Sequence, residues 1–276
     1  MEKKTKKLQR LLSGVVLFPI VALILIFANN FQIDILLALV SIMCMYEYAN
    51  CFKTGGKAHP SKWYLYFVSV LLMGTSLLSN EALKEIMITI LPFSILILMV
   101  EMIFTKGKKN INDLMVTIFG IVYIPLMLIF LSIIRSRFEY GRILIWYIFI
   151  AAWGSDIFAY LVGSRIGKHK FTKISPNKSI EGCVAGVLGA VIIAIIYTIL
   201  INNIMDLDIS ILIASITVMI LSIIGQTGDL TASSIKRYSG IKDFSEVIPG
   251  HGGLLDRIDS VILILPFAYI LLGLLV

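Results

Sequence analysis

The sequence predicts an all-α, polytopic membrane protein with about nine transmembrane helices. Of its 276 residues, 58% are hydrophobic and only 15% are charged, and the mean hydropathy is +0.94. A typical soluble domain carries roughly 25% charged residues. Apolar runs of about 17–25 residues recur along the chain, and each is long enough to cross a hydrocarbon core of roughly 30 Å. A transmembrane β-barrel would instead show weak alternating segments of about ten residues.

The apolar segments give the predicted spans in chain order. These are 11–29, 33–52, 63–79, 86–104, 114–134, 143–163, 183–203, 209–225 and 258–276. The basic segment before the first run resembles the start of a signal peptide, but the run is too long for one and no A-x-A-like cleavage site follows. We therefore expect a retained first span within one integral membrane domain, 1–276. In it, N-terminal spans at about 11–134 precede a C-terminal part at about 143–276 that carries the candidate chemistry.

Lysine and arginine residues are distributed unevenly among the loops, which predicts the orientation. With a cytoplasmic N-terminus, 20 of the 24 lie in cytoplasmic segments and four lie outside, in agreement with the positive-inside rule. The long polar loops 164–182 and 226–257 then both face the cytoplasm, whereas loop 135–142, with three arginines, is discordant. This rule and phosphate ligands account for the net charge of +7, so we expect no nucleic-acid partner.

A polar, glycine-rich run at 233–259 separates the last two predicted spans. Its charged residues include Lys236, Arg237, Lys242, Asp243, Asp256, Arg257 and Asp259. Basic groups bind phosphates, carboxylates bind divalent metal ions, and glycines let backbone N–H groups approach an anion. Together these residue types predict a phosphate-transfer site.

Carboxylates flank this run at both ends. If the eighth helix continues past its apolar part, Asp229 and Ser233 are i, i+4 neighbours, with Lys236 close to the same face. Asp256 and Asp259 are i, i+3 neighbours at the start of the ninth span. Because the loop returns to the same membrane surface, the carboxylates can converge there, and such oxygen ligands suit magnesium. Taken singly, Asp229 would cap a helix and Asp256 would pair with Arg257.

A second polar cluster is S-P-N-K-S-I-E-G at 175–182. Lys178 and Glu181 lie there at the membrane edge. Two interpretations remain open: a functional role for these residues, or an ordinary basic loop with a helix start at Ser175–Pro176.

Single polar residues elsewhere have separate interpretations. Asp156 is predicted roughly 10 Å inside the sixth span, and a carboxylate within a membrane is a functional hypothesis by default. Glu47 and Glu101 rank lower because they lie near cytoplasmic span ends. His251, between two glycines, is interpreted as a phosphate donor or a loop-fixing hydrogen bonder.

Three consecutive motifs carry a family resemblance. They are S-x-[apolar]-K-R at 233–237, K-D-x-S at 242–245 and I-P-x-H-G-G-L-x-D-R-I-D at 248–259. With S-P-N-K-S-x-E-G at 175–182 and G-S-D-x-x-A-Y at 154–160, this pattern resembles the phosphatidate cytidylyltransferases, also called CDP-diacylglycerol synthases.

The resemblance implies that CTP and phosphatidic acid react to give CDP-diacylglycerol and pyrophosphate, in a homodimer embedded in the cell membrane. The lysine and arginine distribution predicts that the active site faces the cytoplasm. The resemblance also implies Mg²⁺ or another divalent cation held by Asp229 and Asp256, and it allows for a second metal ion. Lys236, Arg237, Arg257 and Lys178 would face phosphates. The other expected substrate-binding residues are Ser175, Asn177, Glu181, Ser233, Lys242, Asp243, His251, Gly252, Gly253, Asp259 and Asp156.

Two alternatives compete with this interpretation. A CTP-dependent kinase, or a cytidylyltransferase acting on another lipid phosphate or lipid alcohol, would need similar residues. A transporter is suggested by Asp156, Glu47 and Glu101 within predicted spans. Transporters usually place polar groups near the midplane on broken helices, whereas here these groups concentrate in two loops on one side, which favours an enzyme.

Overall fold

The computed structural model describes residues 19–73, 78–172, 174–176, 178–247 and 252–275. Two of the candidate residues, Asn177 and His251, lie outside the described part of the chain. Within it, the chain is helical except for the connecting segments, and Lys170 and Ser179 form an isolated antiparallel bridge. The predicted all-α class is confirmed.

The helices follow one another with short connections. They are α1 (19–27), α2 (Asn30–Thr54), α3 (Lys62–Met73), α4 (Asn80–Phe104), α5 (Ile111–Tyr123), α6 (Pro125–Arg137), α7 (Gly141–Phe149), a π-helical turn (Ile150–Gly154), α8 (Ser155–Ile166), α9 (Ile180–Met205), α10 (Ile211–Tyr238) and α11 (Leu255–Leu272).

Six helical segments in the described residues are long and apolar enough to cross a membrane, with α5–α6 and α7–α8 each forming one continuous segment. α3 is shorter but apolar. α11 has 18 residues, and three charged residues, Asp256, Arg257 and Asp259, lie near its start. The multi-pass membrane class is therefore confirmed, while the count of nine spans and the orientation remain predictions.

Local side chains explain where several helices begin. Asn29 and Gln32 form a capping box at the start of α2, and Asn110 and Asp113 form one at the start of α5. Each satisfies backbone N–H groups that have no partner within the first turn. Ser179 caps α9 by accepting from Gly182 N at 3.2 Å. α9 therefore begins after Ser179, not at the Ser175–Pro176 start that the sequence suggests.

The chain divides into two compact units. The first comprises Met1–Ser132 and Lys236–Arg257, and the second comprises Ile133–Ile235 and Ile258–Val276.

In the first unit, the buried ring of Tyr48 organises the packing of α2. Its hydroxyl donates to Val116 O at 2.8 Å. Gly120 of α5 lies against the ring, and a Cβ added to Gly120 would be only 2.7 Å from Tyr48 Cε1. A larger residue at 120 would push α5 away from α2.

In the second unit, small residues bring α8 and α9 close together. A Cβ on Gly186 would lie 2.7 Å from Ser155 O, and one on Gly182 would lie 2.9 Å from Ala159 O. Small residues four apart let helix backbones approach in membranes. The π-helical turn Ile150–Gly154 comes directly before α8, and such turns occur frequently at functional sites.

Candidate functional site

Helix α10 extends well beyond the apolar segment predicted at 209–225. It has 28 residues and ends at Tyr238, so Asp229, Ser233 and Lys236 share one continuous helix, as the sequence analysis required. Its end follows a hydrogen-bond pattern that uses a glycine in the left-handed region: Gly240 has φ +72°. Gly240 N donates to Arg237 O at 3.1 Å and Ile241 N donates to Lys236 O at 2.9 Å, which is a Schellman motif.

In the first unit, Asp256 holds the polar loop after α10 together. Lys236 Nζ lies 2.5 Å from its Oδ1. Phe244 N and Gly253 N both donate to its Oδ2 at 2.9 Å. One carboxylate thus ties together the end of α10, the middle of the loop and the turn that enters α11.

This ion pair is almost fully withdrawn from solvent. The Asp256 side chain is 3% exposed and that of Lys236 is 10% exposed, and the ammonium also lies 5.3 Å from the centroid of the Phe244 ring. A buried pair is costly to assemble, but removing one partner leaves an uncompensated charge. The structure therefore pairs Asp256 with Lys236, whereas Arg257 is exposed.

Glycines leave room for this arrangement. Gly252 has φ +82°, and an added Cβ would lie 3.1 Å from Asp256 Oδ2. An added Cβ on Gly253 would lie 2.6 Å from Glu47 Oε2. Gly252 is therefore needed for its left-handed backbone conformation, and Gly253 is needed because Glu47 packs closely against it.

Glu47, which the sequence places near a cytoplasmic span end, contacts the signature run. It is fully buried and accepts from Ser245 Oγ at 2.6 Å, Leu254 N at 2.9 Å and Leu255 N at 2.8 Å. Its sequence signal was an acidic residue inside an otherwise apolar helix, which by itself does not reveal its partners about 200 residues away.

In the second unit, Lys178 forms an ion pair with Asp229 of α10. The two side chains are 22% and 27% exposed, so solvent reaches this pair more readily than it reaches Lys236 and Asp256. Cys183 lies within electrostatic range of Lys178, Asp229 and Asp156. The structure thus pairs two of the predicted site residues, one from α10 and one from the loop before α9.

The segment that presents Lys178 is fastened at both ends. Ile180 N donates to His169 O at 2.9 Å and Phe171 N donates to Lys178 O at 3.0 Å. Glu181 accepts from His169 N at 3.2 Å, and its Oε1 lies 2.6 Å from His169 Nδ1. Glu181 is therefore a loop-fixing residue in this structure.

Gln226, which the sequence analysis did not single out, fixes α10 beside this pair. Its Nε2 donates to Cys183 O at 2.9 Å and to Ser155 Oγ at 3.0 Å. It lies three residues before Asp229. Its two hydrogen bonds therefore fix the helical turn of α10 that carries Asp229 relative to α8 and α9.

The remaining candidates fall into exposed and buried groups. Exposed side chains are those of Arg237, Lys242, Asp243, Arg257 and Asp156. Ser233 and Asp259 are buried, and Asp259 Oδ1 accepts from Ser260 N at 2.7 Å. Ser175 is half-buried, and its carbonyl accepts from Lys178 N at 3.1 Å.

The carboxylates allow a test of the expected metal. In the described part of the chain, no cluster of three or more His, Cys, Asp or Glu side chains is placed to hold an ion. Magnesium at phosphate sites usually takes one or two carboxylates, with phosphates and water completing its shell. Asp229 fits because it is partly exposed. Asp256 is 3% exposed and bonded by Lys236 and two N–H groups, so it could offer only Oδ1, and only once Lys236 turns away.

Comparison with known proteins supports one family. A family model described as the cytidylyltransferase family matches residues 8–275. A phosphatidate cytidylyltransferase of Bacillus subtilis (strain 168) is 31% identical over 267 residues, which cover 96% of this chain and 97% of the relative. Another, from Staphylococcus saprophyticus, is 36% identical over 177 residues, covering 64% of this chain and 65% of the relative.

Proposed function

This chain belongs to the cytidylyltransferase family, and we propose that it transfers the cytidylyl group of CTP to phosphatidic acid, releasing pyrophosphate and forming CDP-diacylglycerol. The observation that carries this proposal is a pair of lysine–carboxylate contacts. Lys178 with Asp229 and Lys236 with Asp256 each join a predicted phosphate ligand to a predicted metal ligand.

Charge balance explains why such pairs suit the reaction. Two polyanions must meet, so the barrier is largely electrostatic. Each lysine–aspartate pair is internally neutral before substrate arrives. When a phosphate and its counter-cation enter, the lysine can turn to the phosphate while the carboxylate takes the cation, with no isolated charge left behind.

We assign Asp229 and Asp256 as ligands of Mg²⁺ or another divalent cation. A bound ion would neutralise phosphate charge and orient the α-phosphate of CTP for in-line attack. Lys178 and Lys236 bind phosphate oxygens directly. Arg237 and Arg257 are exposed and can add further phosphate contacts.

The nucleophile needs little activation by the protein. A phosphatidate oxygen is already anionic near neutral pH, so it attacks the α-phosphorus without a strong general base, and pyrophosphate carries away the leaving charge. The lipid tails remain in the bilayer while CTP comes from water. This division is consistent with charged residues located at the ends of apolar helices.

Orientation and assembly are part of the same proposal. The distribution of lysine and arginine supports a cytoplasmic site, in a multi-pass protein of the cell membrane. A homodimer is proposed on the family resemblance.

The decisive experiment is an assay of the detergent-purified protein with phosphatidic acid, Mg²⁺ and CTP labelled in either the α- or the γ-phosphate. Label from the α-position should enter lipid, and chelation of Mg²⁺ should abolish its transfer. A parallel preparation of Asp256→Asn controls for a contaminating enzyme. Transfer of the γ-label to lipid would instead identify a kinase. Transfer of neither label would refute the proposed activity.

A further inference from the structure

We propose that Glu47, in the N-terminal part of the chain, is a positioning residue that sets the geometry of Asp256. This inference rests on the proposed function for its catalytic meaning, but its structural basis is independent. Glu47 lies on α2, far in sequence from the signature run. It nevertheless accepts three hydrogen bonds from that run.

The start of α11 explains why an outside carboxylate is needed. The first N–H groups of a helix have no partner within the helix, and Ser, Thr, Asp or Asn usually supplies one as the N-cap. Here α11 begins at Leu255 and is preceded by Gly253 and Leu254, which have no side-chain acceptor. Glu47 fills that role from another helix by accepting from Leu254 N and Leu255 N.

The chemistry at this helix start favours a carboxylate. The N-terminus of a helix carries partial positive charge, and a buried carboxylate requires strong donors as compensation. Glu47 is fully buried. Among the ion pairs of the described residues, none includes Glu47. Among the described residues, the donors that compensate this carboxylate come from the loop and the helix start.

Glu47 and Asp256 hold adjacent residues of the same loop. Asp256 accepts from Phe244 N and Gly253 N, and Glu47 accepts from the next residues along the chain, Ser245 and Leu254. The two carboxylates therefore fasten the same two stretches of backbone. A shift of these stretches would move the donors that orient Asp256 Oδ2.

The end of α2 supports the loop at a further point. An added Cβ on Gly55 would lie 2.5 Å from Ser239 O, so the backbone after α2 touches the end of α10. The Phe52 and Tyr238 ring centroids are 6.2 Å apart. α2 thus contacts both ends of the loop, and Glu47 is its charged contact at the α11 end.

The test compares Glu47→Gln with Glu101→Gln. Glu101 is a matched control because it lies near the end of α4 and bonds Ser61 and Trp63 instead of the signature run. The Glu47→Gln side chain would keep one acceptor oxygen but would turn an amide toward the N–H of Leu255. Hydrogen exchange of peptides covering 252–258, measured in detergent, should become at least about tenfold faster in Glu47→Gln and stay unchanged in Glu101→Gln.

Activity supplies the second readout. Glu47→Gln should lower kcat at least about tenfold and raise the Mg²⁺ concentration for half-maximal activity, with a smaller change in KM for CTP. Ser245→Ala, which removes one of the three donors, should show the same changes to a lesser degree and serves if Glu47→Gln does not fold.

The outcomes separate the two proposals. If the wild-type protein transfers no cytidylyl group, the proposed function is overturned. Faster hydrogen exchange in Glu47→Gln would still support the positioning contact in that case. Unchanged exchange would overturn the positioning proposal. So would faster exchange with kcat and Mg²⁺ dependence equal to those of the wild type, because Glu47 would then be a structural cap only.

Discussion

At the scale of single residues, the two lysine–aspartate pairs differ in burial, and this difference predicts different mutational effects. Lys236 and Asp256 are nearly inaccessible, whereas Lys178 and Asp229 are about one-quarter exposed. A buried pair is costly to break, and the cost falls as solvent reaches one of the partners. The Lys178 Nζ atom is buried, but Asp229 is partly exposed, so the loss of stability should be smaller at this pair than at Lys236 and Asp256.

Substitutions of the two aspartates test this difference. Asp256→Ala should lower turnover by a factor of at least about 100 and should also destabilise the fold by about 3–5 kcal/mol, because Lys236 and two backbone N–H groups lose their partner. Asp229→Ala should lower turnover similarly with a smaller loss of stability, because Asp229 is partly exposed. Steady-state kinetics and thermal unfolding in detergent provide the two measurements. Equal loss of stability in both variants would contradict the assignment, and near-normal activity of either folded variant would remove that residue from the metal site.

Lys178 can be compared with a lysine from the same basic loop. If it holds a desolvated phosphate charge, Lys178→Ala should cost about 2–5 kcal/mol in transition-state binding, seen as a fall in kcat/KM. Lys170→Ala, which removes an exposed lysine, should change kcat/KM little at equal expression. Lys178→Arg should recover only part of the loss because a guanidinium differs in shape and reach. Similar kinetics for both alanine variants would show that Lys178 serves only the fold.

At the scale of helices, the site depends on close approach between backbones. α8 carries Asp156, and it meets α9 at glycines instead of larger side chains. Gln226 then attaches α10 to both helices. The position of Asp229 is thus set by helix packing as well as by its partner Lys178.

Gly186→Ala tests this packing. The new methyl group would lie 2.7 Å from Ser155 O and 2.9 Å from Ser155 Oγ, so backbone must move, at a typical cost of about 1–3 kcal/mol for overpacking. We expect a lower unfolding temperature and reduced activity. Leu188→Ala on the exposed face of α9 is the control and should change both little. A Gly186→Ala protein as stable as the wild type would show that α8 and α9 can separate freely.

At the scale of the whole molecule, the membrane orientation remains the main untested prediction. Single cysteines can test it in a background that lacks Cys44, Cys51 and Cys183. Ser239 lies in the relevant loop, but it is only 3% exposed, so the exposed Glu246 is the better position.

Cysteines at Glu246 and Lys170 should react with a membrane-impermeant thiol reagent only in inside-out vesicles or permeabilised cells. One at the exposed Asp208 should react in intact cells, because the connection between α9 and α10 is predicted to lie outside. Labelling is read by gel shift or mass spectrometry. Reaction of Glu246→Cys from the outside would reverse the orientation and place the candidate site on the wrong surface for CTP.

The sequence by itself determined the class of this protein and most of its candidate site residues. In lipid, the backbone polar groups of a long apolar run must be hydrogen-bonded internally, which a membrane-spanning helix achieves. A charged, glycine-rich run between two such helices indicates phosphate chemistry. Both conclusions depend on local composition and spacing. Only the tertiary structure decided the partners: Lys178 with Asp229, Lys236 with Asp256, and Glu47 with the start of α11. Such contacts join residues from 20 to 208 positions apart. Helix packing, which no local pattern encodes, brings them within hydrogen-bonding distance.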